Sequence, residues 1–221
     1  MVNQVIALIK NKIMKTLALS ISLLFCQLSV FSQNDLQSIK DVFTKYKTAI
    51  MSDKETEAIS FMDSRTLDYY KNILHLVIYA DSVTLDTQPL LDKFTVLNIR
   101  HIATKKQILA FDDKSIIAFV INKGMMGKNT LDGFELGKIT VKGKTAKAMI
   151  IADGKNSPKF YNFYSDGTQW KIDYTSLFPA EEKETEQIIK DSGKKDNEFI
   201  LGILEIMSEK KPSPNIWKKI K

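Results

Sequence analysis

The sequence predicts an α+β fold, with N-terminal helices packed on a curved antiparallel β-meander of about four strands, followed by a C-terminal helical tail. Three observations carry that expectation. Residues Lys138–Phe178 alternate apolar and polar side chains around glycine-bearing turns, the pattern of successive β-hairpins with one apolar face. Before them, apolar residues recur at spacings of three and four, the helical period. After them, Pro179-Ala180-Glu181-Glu182 opens a new helix, with proline in its first turn and acids where the helix dipole favours them.

The meander is the most informative stretch. Asp166-Gly167 suits a two-residue hairpin turn, because its central positions need φ > 0. That turn sets Ser165 opposite Thr168, Phe163 opposite Trp170 and Tyr161 opposite Ile172. One face then carries Tyr161, Phe163, Trp170, Ile172 and Tyr174, and the other Phe160, Asn162, Tyr164, Gln169, Lys171 and Asp173. A turn at Gly143-Lys144 pairs Val141 with Ala146 and Ile139 with Ala148, again apolar against apolar. Helices must cover such a face.

From the N-terminus, Lys10, Lys12 and Lys15 precede the apolar run Leu17–Phe25 without an intervening acid. Val30-Phe31-Ser32 offers a cleavage site, so residues 1–32 read as a signal peptide, with Met14 an alternative start. The protein is expected to be extracytoplasmic: periplasmic, envelope-associated or secreted. Thr16–Phe31, interrupted by Ser20, Ser22, Gln27 and Ser29, falls short of the ~20 apolar residues of a membrane span. No stable span is expected after cleavage.

Cys26, the single cysteine, lies in that segment behind the bulky Phe25, which argues against lipidation. The mature chain then has no disulfide and no thiolate chemistry. Removing residues 1–32 takes three lysines and no acid, so the net charge of +6 falls to +3. Signs are interspersed in what remains, which excludes the basic stripe of a nucleic-acid binder. The 221 residues, 44% of them hydrophobic, support a cone-like domain over 33–178 and a helical extension over 179–221.

Leu36, Ile39, Val42, Phe43, Tyr46 and Ile50 define a first amphipathic helix. Ser52-Asp53-Lys54-Glu55 fits a capping box for a short second one. Asp63 or Ser64 caps Thr66–Ala80, which is apolar nearly all round and reads as the central helix under the sheet. Thr87 and Pro89 open another helix with the stripe Leu90, Leu91, Phe94 and Leu97, and Thr104–Gln107 is a second capping box. Ser115–Asn122 is apolar enough for helix or strand. Asp112-Asp113 as a cap and Gly124 as a terminator favour helix. In the tail, Phe199, Ile203, Ile206 and Met207 form a stripe, and Pro212 and Pro214 bracket a last turn.

Gly167-Thr168-Gln169-Trp170-Lys171-Ile172-Asp173, preceded by Lys138–Ala152 and by the helices, resembles the terminal strand of the nuclear-transport-factor-like, or SnoaL-like, superfamily of cystatin-like α+β cones, which has many exported bacterial members. The resemblance is best over Leu36–Met62 and Phe134–Phe178. It implies an apolar pocket between sheet and helices. Some members, such as ketosteroid isomerases and polyketide cyclases, use that pocket for proton transfer, whereas many only bind ligands or partners. Fold alone does not choose among these, and no family motif assigns a catalytic residue here.

Tyr69, Tyr70, His75, Tyr161, Phe163, Trp170 and Tyr174 are therefore the ligand-pocket candidates, since aromatics with a polar tip orient ligands. The same residues would equally make a plain sheet–helix core. Asp63, Asp68 and Asp173 are the nearest carboxylates, with Asp173 placed on the solvent side. His101 follows Arg100 at a helix end. The histidines and acids lack metal spacing, and no phosphate loop or serine-hydrolase motif occurs, so neither cofactor nor metal is expected. These readings favour a non-enzymatic exported module that binds a small apolar ligand or a protein partner. The alternative is a small cone-type isomerase, cyclase or hydratase.

Overall fold

The computed structural model describes residues 34–126 and 128–221, so the expected signal peptide and Gly127 lie outside the described residues. The fold is α+β. Helix α1 (residues 34–51) is followed by α2 (Glu55–Ser60), α3 (Ser64–Tyr79), α4 (Ser82–Asp86), α5 (Leu90–Ile102), α6 (Lys105–Ala110), α7 (Ser115–Asn122) and α8 (Lys128–Leu131). Strands β1 (Phe134–Lys142), β2 (Thr145–Ala152), β3 (Lys155–Ser165) and β4 (Trp170–Asp173) form an antiparallel meander in chain order. A 3₁₀ turn (Tyr174–Leu177) leads into α9 (Phe178–Ser192) and α10 (Asp196–Ser208), and a last 3₁₀ turn spans Pro214–Trp217.

Turn chemistry sets each register. Val141 pairs with Ala146 and Ile139 with Ala148, as the Gly143 turn requires. Asp153 and Gly154, with φ of +49° and +73°, make the turn between β2 and β3. The β3–β4 register is two residues away from expectation: Phe163 faces Ile172, and Trp170 faces Ser165. The cause is the Asp166 carboxylate, which accepts from the Thr168 and Gln169 amides at 2.8 and 2.9 Å and holds Asp166–Gln169 as a longer loop. A slip of two residues keeps every side chain on its face. Tyr161, Phe163, Trp170, Ile172 and Tyr174 are accordingly all buried.

Helix α1, rather than α3, covers the sheet. Its buried stripe of Ile39, Phe43, Tyr46 and Ile50 lies on the apolar face, with the Phe43 ring 5.6 Å from that of Tyr161. At one end of α1 the Trp170 indole donates to Asp35 at 3.1 Å, and at the other Lys47 donates to the Asp132 and Phe134 carbonyls. The helix therefore runs from β4 across to the start of β1. Helix α3 is amphipathic in the fold, with Asp68, Lys71, Asn72 and His75 exposed. Its buried stripe packs among α5, α6 and α7, and it meets the sheet at the β4 edge and through Arg65, which lies over the Tyr164 ring of β3. The chain entering α3 runs beside that edge, with the Asp63 amide donating to the Ile172 carbonyl and the Ile172 amide to Phe61.

Caps follow the sequence in part. Asp63 caps α3, and the Thr104–Gln107 capping box forms. The expected box at Ser52–Glu55 does not, because Asp53 takes φ = +55° and Lys54 becomes the N-cap residue. Gly124, at φ = +69°, terminates α7. In α10 the buried positions are Ile200 and Leu204, while Ile206 and Met207 are exposed, so the expected stripe is out of phase. Helices α9 and α10 and the last turn pack on α5. Arg100 of α5 clips this tail to α3: its guanidinium donates to the carbonyls of Leu76, Val77, Ala80 and Ile216.

Candidate functional site

The sequence-predicted aromatic residues separate into two groups. Tyr161, Phe163 and Trp170 lie beneath α1 and belong to the core. Tyr69, Tyr70 and Tyr174 instead line a cavity of about 220 Å³ together with Phe94, Phe178 and Glu181. His75 joins neither group. It is exposed on α3 with its ring tilted against that of Tyr79, centroids 5.0 Å apart, because position 75 lies off the buried stripe of Tyr70, Ile73, Leu74 and Val77.

Helix geometry explains the cavity. The α3 stripe presents Tyr70 inward, with Tyr69 half-buried beside it, their rings edge-on at 5.0 Å. Tyr69 reaches α5, where its hydroxyl donates to Asp92 at 2.9 Å. Phe178 sits between Tyr69 and Tyr174, at 4.7 and 5.7 Å. Glu181 is one turn further along α9, on the face that Phe178 defines. Glu182, next to it, points the other way and caps α5 by accepting from the Leu90 and Leu91 amides at 2.6 and 3.0 Å. Gly124 and Met125 after α7 and Met207 of α10, which is 58% exposed, also line it, as do the polar side chains of Thr95 and Asn98 on α5.

Burial dominates the electrostatics of the site. It pushes the phenols of Tyr69, Tyr70 and Tyr174 well up, so they stay protonated. Two more phenols lie nearby: Tyr46 of α1 and Tyr161 of β3 have buried hydroxyls without a hydrogen-bond partner among the described residues. Burial also raises the pKa of Glu181, against the opposing pull of Lys159. That lysine is shared between two acids, 3.9 Å from Glu181 and 2.8 Å from Glu184. The lining residues include one charged side chain, Glu181, and it is an acid.

The remaining polar candidates are structural. Asp63 caps α3 and pairs with Arg65 at 2.6 Å. Asp173, expected on the solvent side, is buried, and it accepts from the Thr175 amide and hydroxyl at 3.0 and 2.6 Å to start the 3₁₀ turn. Asp68 is exposed. His101 is hydrogen-bonded to the Ser208 hydroxyl at 2.6 Å, tying α5 to α10. Among the described residues no three His, Cys, Asp or Glu side chains group to hold a metal ion, and no helix is long and apolar enough to cross a membrane.

Sequence reasoning missed Glu181, Phe178 and Phe94. The helical spacing of Phe178 and Glu181 was the available signal, but an acid in a first turn already has a sufficient explanation in the helix dipole. Fold and cavity together define an α+β module with a tyrosine-lined cavity among its helices. Comparison with known proteins gives no match to a family model, a curated protein or a solved structure.

Proposed function

We propose that the chain is an exported, non-enzymatic module that binds a small, largely apolar ligand in the cavity between α3, α5 and α9. The observation that carries this reading is the lining itself: aromatic walls from Tyr69, Tyr70, Phe94, Tyr174 and Phe178, with a single half-buried carboxyl from Glu181. Small-molecule sites take this form, an apolar concavity with few polar groups that fix orientation. Proton-transfer chemistry is less well supported. His75 is exposed and His101 is held by Ser208, so Glu181 has no general acid or base partner among the histidines. Many members of the α+β cones that the sequence resembles only bind ligands, though in a pocket between sheet and helices, whereas this cavity lies among the helices. The basic-then-apolar leader supports export.

The test is uptake of an apolar fluorescent probe by the mature protein, compared with a variant in which Met125→Trp fills the cavity mouth. Probe binding that disappears in the variant, at an unchanged melting temperature, is the expected result. Equal uptake by both proteins would place the probe elsewhere and overturn the assignment.

A further inference from the structure

We propose that the ligand of this cavity is an organic cation, a small primary or quaternary amine with an apolar body. The inference rests on the ligand-binding reading above and names the chemistry that reading leaves open.

Charge is the first argument. Glu181 is the single charged group among the lining residues. An anionic ligand would face that carboxylate with no lysine, arginine or histidine in the lining to offset it. A neutral ligand would bury the carboxylate further and add nothing to the 3.9 Å pairing with Lys159, which is costly. A cation answers both objections. Lys159, outside the lining and shared with Glu184 at 2.8 Å, pairs with Glu181 at 3.9 Å and offsets part of its charge, and a cation inside the cavity would offset the rest.

The walls supply the second argument. Tyr69, Tyr70, Phe94, Tyr174 and Phe178 enclose the space, and an ammonium group among such rings is attracted by their quadrupoles, most strongly where water is excluded. The phenols stay neutral and add acceptor oxygens. Behind the wall, Asp92 accepts from the Tyr69 hydroxyl and so makes that phenol oxygen a better acceptor for a positive group. Glu182 lies close enough to Asp92 to add to the negative potential. Size is the third argument. About 220 Å³ is below the range of about 300–1,000 Å³ usual for drug-sized ligands, and suits one compact headgroup with a short apolar body.

The experiment compares charged and uncharged isosteres by calorimetric titration of the mature protein: choline against 3,3-dimethylbutan-1-ol, and benzylamine against benzyl alcohol. Each cation is scored for displacement of the apolar probe as well. At least one cation is expected to bind about tenfold or more tightly than its neutral partner. Glu181→Gln should remove most of that advantage and leave the neutral isostere's affinity within about twofold, with the fold retained by circular dichroism. The proposal is overturned if the isosteres bind as tightly as the amines. It is equally overturned if Glu181→Gln leaves amine affinity unchanged, or if the probe binds while no amine displaces it. Failure of the probe itself to bind would instead remove the ligand-binding reading on which the proposal stands.

Discussion

Arg100 is the place where a single substitution should do the most to the architecture around the cavity. Its guanidinium donates to Val77 at 2.9 Å, to Leu76 and Ile216 at 3.0 Å and to Ala80 at 2.6 Å, all backbone carbonyls. Three of them belong to α3 or its C-cap, where a helix leaves carbonyls without intrahelical donors and where a cation suits the dipole. Burial draws the guanidinium pKa down to about 10, so the group remains charged at neutral pH. In Arg100→Met the apolar stem survives and the donors vanish. Leu76 keeps the Ala80 amide as a partner, so three carbonyls lose their donor. At about 1–3 kcal/mol for each buried acceptor left unpaired, and with the last turn free to admit water, the net loss should be about 3–5 kcal/mol. Urea unfolding at pH 7, followed by tryptophan fluorescence, measures it. Arg100→Lys, a point charge without the fork, should lose about 1–3 kcal/mol. Limited proteolysis with trypsin should also cut Arg100→Met after Lys210 faster than the parent, since the tail loses a tether. A midpoint for Arg100→Met equal to the parent's would refute the view that this clip holds the tail.

Three further outcomes follow from the packing and titration of named groups. Trp170→Ala should lower stability by about 3–5 kcal/mol, because the indole is buried beneath α1 and donates to Asp35; an unchanged denaturant midpoint would contradict that placement. Burial raises the Glu181 pKa above its ordinary 4.5, so the folded state holds that proton more tightly than the unfolded chain does. Its stabilising effect is present at low pH and is lost as pH rises through the window above 4.5. Glu181→Gln should therefore melt higher than the parent at pH 7 and nearly the same at pH 3, and an equal gap at both pH values would reject the assignment. Export with cleavage near Ser32 should leave an N-terminus at Gln33, and envelope protein that still began at Met1 or Met14 would show otherwise.

How much of this was legible in the sequence depends on whether a local period records it. The sheet was largely readable because alternation and turn glycines act over a few residues. Even the wrong turn length at Asp166 left the faces correct, since the displacement was two residues and the pleat has that period. Which helix covers the sheet was not readable. The many apolar residues of α3 suggested a helix under the sheet, yet its buried stripe meets α5, α6 and α7, and Asp68, Lys71, Asn72 and His75 form an exposed face. Amphipathicity states how much surface is buried and not what buries it. The same limit split the aromatic candidates. Phe43 and Tyr46 of α1 fill the space over Tyr161 and Phe163, so those rings became core, while Tyr69, Tyr70 and Tyr174 fell on the side that α5 and α9 enclose. His75 was misplaced because adjacency in sequence is not adjacency on a helix: a residue next to Leu74 is turned about 100° away from it. Glu181 was hidden for the opposite reason, since its first-turn position needed no second explanation. A cavity assembled from α3, α5, α9 and the turn before α9 leaves no periodic trace, and its one carboxyl is distinguished from a surface acid only by the rings that surround it.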